Sequence, residues 1–159
     1  MLSKSSALLL QSAIYEELNA SAMYLYLANQ CQRIGLIGAP KFFRSESDDE
    51  RTHYQKHADF MNDRGDVADI PDVDGFDTPI KTLKEAVEMA YNAEVALGEK
   101  YSNWLTQALG DDMTLFSHLI QFVEIQTKAI GEYGDLLQRL ELAGDDRCAV
   151  LIIDKEMGG

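Results

Sequence analysis

Residues 46–53, ESDDERTH, place four carboxylates and an imidazole within eight positions. Glu50 and His53 stand three apart, and on a helix that step sets a carboxylate beside an imidazole on one face. Such an ExxH pair suits a metal ion, although chance copies are common in acidic helices. Its weight depends on what the rest of the chain offers at the same level. Glu17, Glu94 and Gln126 each interrupt an otherwise apolar or small-residue series. An ionised carboxylate in a dry core costs several kcal/mol unless it is paired, and three of them would also repel one another. A shared cation resolves both problems. Three carboxylates, one imidazole and one amide are hard and borderline donors, suited to iron. The ordinary alternative is a surface glutamate read in the wrong phase. It would have to recur in four segments at one height.

Glycine and proline mark where those segments end. They cluster at residues 35–40, 64–79, 109–112 and 143–146. The intervening stretches of about 30, 25, 28 and 30 residues, followed by a tail of about a dozen, carry a helical period and no strand-like alternation. Pro40 suits a first helical position, and Asp111 or Asp112 suits the cap of the fourth helix. Short turns join the first pair and the last pair, which predicts two antiparallel hairpins. The link DRGDVADIPDVDGFDTP is long enough to cross the length of a bundle. The predicted fold is all-α: a ferritin-like four-helix bundle in one domain over 1–159, with one long crossover and a short fifth helix at the C-terminus.

Alternating steps of three and four give each inward face. These are Leu10, Ile14, Glu17, Ser21, Tyr24, Ala28; then Phe43, Glu46, Glu50, His53, His57, Phe60. The third runs Leu83, Val87, Ala90, Glu94, Leu97, Tyr101, and the fourth Leu119, Phe122, Gln126, Ala129, Tyr133, Leu136, Leu140. Every seam turns polar near its middle. A symmetrical di-iron bundle carries a second ExxH, but Leu97 follows Glu94 by three and the fourth helix supplies Gln126. One iron position therefore has Glu17, Glu50 and His53. The other has Glu50 as a bridge, Glu94, and weak help from Gln126. A weakly held second ion suits iron that is oxidised and passed on.

Bulk composition narrows the partners. The chain has 159 residues, 46% hydrophobic, and 14 Lys plus Arg against 27 Asp plus Glu, a formal charge of −13. Such a surface repels nucleic acid and anionic membrane and draws in cations. No apolar run approaches the roughly 20 residues of a membrane span, and the start reads as helix rather than as a signal peptide. Cys31 and Cys148 are read as reduced thiols, and a cytoplasmic location is expected.

The segments AIYEELNASAMYLYLA, ESDDERTHYQKHADFMNDRG, EAVEMAYNAEVAL and FVEIQTKAIGEYGDLL resemble, in order and spacing, the four bundle helices of non-haem ferritin. AVLIIDKEMGG is similar to the short last helix of its bacterial members, and IQTKAIGEYGD to the ferroxidase-active heavy-type chains of animals and algae. The resemblance implies a hollow homo-oligomer of twenty-four subunits, a 24-mer cage, that oxidises Fe(II) with dioxygen or peroxide and stores Fe(III) as a mineral. It implies a ferroxidase centre of Glu17, Glu50, His53, Glu94 and Gln126, with Tyr24 beside it in a redox or proton-donating role or simply as a buried, satisfied tyrosine. Glu46 is implied as a third-iron ligand or as a solvated or cavity-facing carboxylate. Asp49 remains among the inner-surface acids linked to mineral nucleation, where Thr52 and Gln55 replace others, so mineralisation is expected to be slower than oxidation. Phe116 and Leu119 stand where the family often has acidic threefold-channel residues, so iron entry is expected through the subunit itself or another pore. The alternative is a non-storing di-iron oxidoreductase of rubrerythrin type, which lacks support from a second ExxH or a rubredoxin-like cysteine pair. Haem is not expected, Met23 and Met61 being candidates by residue type alone. His57, His118 and Trp104 show no partner in the sequence and are assigned to packing or the surface.

Overall fold

A computed structural model describes residues 1–159. Five helices account for the fold: α1 Lys4–Arg33, α2 Gly38–Asp63, α3 Leu83–Asp111, α4 Met113–Ala143 and α5 Arg147–Met157. α1 pairs with α2 and α3 with α4, and α5 packs across the end formed by α2 and α4. The two hairpins and the short fifth helix are as the breaker pattern predicts.

Local chemistry sets the boundaries. Ser3, Thr82, Asp112 and Asp146 cap α1, α3, α4 and α5, each accepting a backbone N–H from the first turn. α2 has no cap from its own side chains, and Pro40 is its third residue rather than its first. Its exposed donors are satisfied from a distance. The Asp154 carboxylate of α5 accepts the N–H groups of Ile37 at 3.1 Å and Ala39 at 2.7 Å. Gly35, Gly65 and Gly144 adopt positive φ (94°, 81° and 53°) just after α1, α2 and α4, where a Cβ would be strained.

The crossover runs beside α1 in the same direction. Gln11 exchanges hydrogen bonds with the Asp69 backbone, Tyr15 donates to Asp74, Tyr26 to the Thr78 carbonyl, and Arg33 to the Ile80 carbonyl. These ties extend from residue 11 to residue 33, about 33 Å of helix at roughly 1.5 Å per residue. Helices α2 and α3 can therefore lie parallel.

The core has two apolar halves. One gathers Leu27, Ala28, Phe43, Val87 and Tyr133 toward the α5 end, and the other Leu10, Ile14, Leu97, Leu115 and Phe122 toward the opposite end. Between them lies a polar belt. Asp112 ties the lower end together, because it caps α4 through Leu115 N–H at 2.9 Å and accepts Arg64 at 2.8 and 3.3 Å. Removing that cap and ion pair in Asp112→Ala is expected to lower unfolding stability by about 1–2 kcal/mol, with Asp112→Asn losing less because it still caps. Denaturant midpoints check this, and equal losses in the two variants would contradict it.

The predicted seams are the buried faces, with Leu10, Ile14, Glu17, Tyr24, Glu50, His57, Glu94, Tyr101, Phe122, Gln126 and Tyr133 all buried. Leu119 is wholly buried in the lower core, and Phe116 is half-buried beside the same cluster. α5 turns Ile153 and Asp154 inward, packs Met157 against the core and leaves Ile152 58% exposed.

Candidate metal centre

Each long helix contributes to the polar belt at its middle. α1 supplies Glu17, α2 Glu50 and His53, α3 Glu94, and α4 Gln126. Glu17 is 0%, Glu94 2%, Gln126 3% and Glu50 4% exposed, so bulk water does not solvate these groups. His53 is half-buried.

Glu17, Glu50 and His53 form one subgroup. His53 Nδ1 lies 3.1 Å from Glu50 Oε2 and 3.5 Å from Glu17 Oε2, and one donor atom from each of the three falls within 4.8 Å of the others. Tyr101 donates its hydroxyl to Glu17 Oε1. Glu17 Oε2 is the one buried side-chain oxygen or nitrogen in the protein with no hydrogen-bond partner. An orphaned carboxylate oxygen in a dry site is expensive, and it faces an imidazole nitrogen and a second carboxylate.

Glu94 and Gln126 form the adjoining subgroup. Gln126 Nε2 donates to Glu94 Oε2 at 2.6 Å and to the Glu94 carbonyl at 3.2 Å, while Tyr24 donates to Glu94 Oε1. Tyr24 stacks between Phe43 and Tyr133, with ring centroids 5.9 and 6.2 Å away. Tyr133 in turn donates to Glu46 Oε2 at 3.2 Å. Glu46 is thus half-buried and bonded, not solvated, whereas Asp49 is exposed.

The electrostatics are those of crowded anions out of water. Burial, and then repulsion from Glu17, push the Glu50 carboxyl up to about 8. Burial and Glu50 raise Glu94 to about 7, although Tyr24 and Gln126 pull the other way. Glu46 rises to about 7, mainly by burial. Burial on its own would lower the His53 imidazole, but the adjacent Glu17 and Glu50 carboxylates outweigh it and the net shift is upward. Burial lifts the Tyr24 phenol well above its ordinary range, which keeps it a donor. Protons here do the work that a cation would do better.

The sequence reading missed the polar roles of Tyr101 and the histidines. Tyr101 sits in a seam that reads as apolar, and its hydroxyl reaches a carboxylate on another helix. His57 and His118, left without partners, meet each other: His57 Nδ1 is 3.0 Å from His118 Nε2. A contact spanning 61 residues leaves no local spacing signal.

The comparisons with known proteins point to one family. The profile of the ferritin family, described as a ferritin-like domain, matches residues 7–143. A probable bacterial non-heme ferritin-like protein of Haemophilus influenzae is 27% identical over 159 residues, covering 99% of this chain and 96% of the relative. A bacterial non-heme ferritin of Staphylococcus aureus is 26% identical over the same shares. Among solved structures, an open pore ferritin from the archaeon Archaeoglobus fulgidus superposes with a TM-score of 0.96 at 25% identity, covering 99% of this chain and 98% of that one.

Proposed function

The chain belongs to the ferritin family, and on that premise we propose that it is a ferroxidase that takes up Fe(II), oxidises it with dioxygen and passes Fe(III) to a mineral store inside a homo-oligomeric 24-mer cage. The observation that carries the reading is the orphaned Glu17 Oε2, facing Glu50 and His53 in a belt to which all four helices contribute. As substrate, one Fe(II) is held by Glu17, Glu50 and His53. A second is held by Glu50 and Glu94, with Gln126 as a weak amide ligand. Iron supplies one electron per ion to the oxidant. The chain supplies charge neutralisation and exclusion of water. Tyr24 keeps one oxygen of Glu94 fixed while the other faces Gln126. Two ions on unequal ligand sets suit release after oxidation, and Glu46 lies one turn from Glu50 as a carboxylate for iron leaving the centre.

Metal must displace the protons that now quiet the site. Glu50 near 8 is mostly protonated at pH 7, Glu94 near 7 about half so, and His53, shifted upward, must lose its proton to bind. Anaerobic titration with Fe(II), or with Zn(II) as a redox-silent substitute, is therefore expected to release about two protons per filled pair at pH 7. Affinity should rise from pH 6 to pH 8, because the competing protonated forms of Glu50 and Glu94 fade over that range. Calorimetry in buffers of different ionisation enthalpy reads both. Binding without proton release would remove these residues from the site.

The cage is supported by apolar surface that the single chain leaves open. Leu142, Leu151 and Ile152 are 89%, 53% and 58% exposed around α5, and they fit burial against further copies. Light scattering tests it, and a monomer would contradict the assembly. No helix is long and apolar enough to cross a membrane. Two free thiols, Cys31 and Cys148, fit work in a reducing cytoplasm.

A further inference from the structure

Below the metal centre a line of polar groups runs from Glu17 to the protein surface. Glu17 Oε1 accepts the Tyr101 hydroxyl, His57 Nε2 lies 2.7 Å from that hydroxyl oxygen, and His57 Nδ1 lies 3.0 Å from His118 Nε2. The line crosses α1, α3, α2 and α4 in turn. His57 is 0% exposed and is held flat against Phe122 at 4.1 Å, and His118 is held against Phe60 at 4.1 Å. His118 Nδ1 bonds no protein atom and is not among the buried unpartnered atoms, so it is open to solvent. We propose that Tyr101, His57 and His118 form a proton relay between the ferroxidase centre and solvent, entering at His118 Nδ1 and ending on Glu17 Oε1. This rests on the ferroxidase reading above.

Hydrogen-bond direction gives the relay its polarity. A carboxylate can only accept, so Tyr101 donates to Glu17 and its oxygen accepts from His57. Burial lowers His57 well below its ordinary value, and burial followed by Lys56 lowers His118 to about 4, so both imidazoles are neutral and each has one N–H. His57 must then carry its proton on Nε2, and His118 must carry its own on Nε2 to donate to His57 Nδ1. Every donor points toward the metal centre. Nothing in a purely structural core requires four consecutive groups to be aligned this way and to end on the ligand with the orphaned oxygen.

The balance follows from the reaction. Two Fe(II) ions give two electrons to dioxygen, and two protons complete hydrogen peroxide. For one of them, Tyr101 gives its hydroxyl proton to Glu17, which hands it on to the reduced oxygen and is restored as a carboxylate, while His57 refills Tyr101 from Nε2, His118 refills His57 at Nδ1, and water refills His118 at its own Nδ1; the second proton comes by another route. That transfer leaves both imidazoles in the opposite tautomer. One of the protons displaced when the next metal ions bind then runs the line backward and restores the start. Uptake and release therefore alternate through one path.

The test uses the assembled protein and three variants, His118→Ala, His57→Leu and Tyr101→Phe. Zn(II) binding stoichiometry should stay as in the wild type. The initial rate of Fe(II) oxidation should fall at least about tenfold in each, within the ordinary reach of proton-transfer effects. Added imidazole should restore His118→Ala, whose gap is open to solvent, and not His57→Leu, whose gap is sealed. The solvent deuterium isotope effect should rise in His118→Ala and return to the wild-type value on rescue. Wild-type rates in all three variants, or slowed rates with no imidazole rescue and no change in isotope effect, would overturn the relay alone. Loss of metal binding or oxidation in the wild type itself would instead overturn the ferroxidase reading, and the relay with it.

Discussion

Glu50→Ala is expected to bind at most one metal ion per subunit and to oxidise Fe(II) about a hundredfold more slowly than the wild type, or worse. Glu50 is the group on which both positions depend, because it touches His53 at 3.1 Å and its charge raises the Glu94 carboxyl. Perturbing even a residue that only supports a ligand typically costs about 10–100-fold. A bridging ligand should cost more. The companion result has the opposite sign. Glu50 is 4% exposed, and its carboxyl is pushed up to about 8 by burial and then by Glu17. A raised carboxyl pKa means that the native state loses stability as pH rises from about 4.5 to about 8, since the folded form resists ionisation over that range. In the metal-free protein, Glu50→Gln should therefore be at least as stable as the wild type at pH 8, by about 1–4 kcal/mol in the most favourable case. Stopped-flow absorbance and thermal melts in chelator give the two halves. An unchanged oxidation rate, or a metal-free variant that is clearly less stable, would mean that Glu50 serves packing instead.

The second large effect lies at the α5 end. Gly38 and Gly158 touch where α5 crosses the start of α2. A Cβ on Gly38 would sit 1.7 Å from the Asp154 carbonyl oxygen and 2.6 Å from its carbon, and a Cβ on Gly158 would sit 2.6 Å from Gly38 Cα. These are backbone atoms, which no side-chain rotation relieves. The same crossing holds Asp154 over the N–H groups of Ile37 and Ala39. Gly38→Ala should therefore lift α5 and uncap α2 together. Overpacking costs about 1–3 kcal/mol and a lost cap about 0.5–2 kcal/mol, so a combined loss of roughly 3 kcal/mol is expected. Limited proteolysis should then cut near Gly144, and light scattering should show smaller assemblies, because the apolar flank of α5 no longer has a fixed position. Asp154→Ala, which removes the cap without the clash, should show a milder version of both. Wild-type protease resistance in Gly38→Ala would contradict this account of how α5 is docked.

The architecture was legible in the sequence because its signal is repeated. Four seams with the same period, three short connections and one long one leave few alternatives, and a glutamate such as Glu17 stands out against Leu10, Ile14 and Ala28. The candidate ligands came from the same contrast. What stayed hidden has physical reasons. Tyr101 and Tyr133 are amphipathic, so a pattern read for apolarity accepts the ring and ignores the hydroxyl that meets Glu17 or Glu46. The His57 to His118 contact depends on the rotation of α2 against α4, which spacing along one helix cannot supply. Asp154 reads as a surface acid until its partners on α2 are known.

Crystals soaked anaerobically in Fe(II) and measured on both sides of the iron absorption edge bear on the central claim most directly. Two anomalous peaks per subunit are predicted in the polar belt, one among Glu17, Glu50 and His53 and a weaker one between Glu50 and Glu94. An iron-saturated crystal with no peak there, and with Glu17 Oε2 still unpartnered, would contradict it.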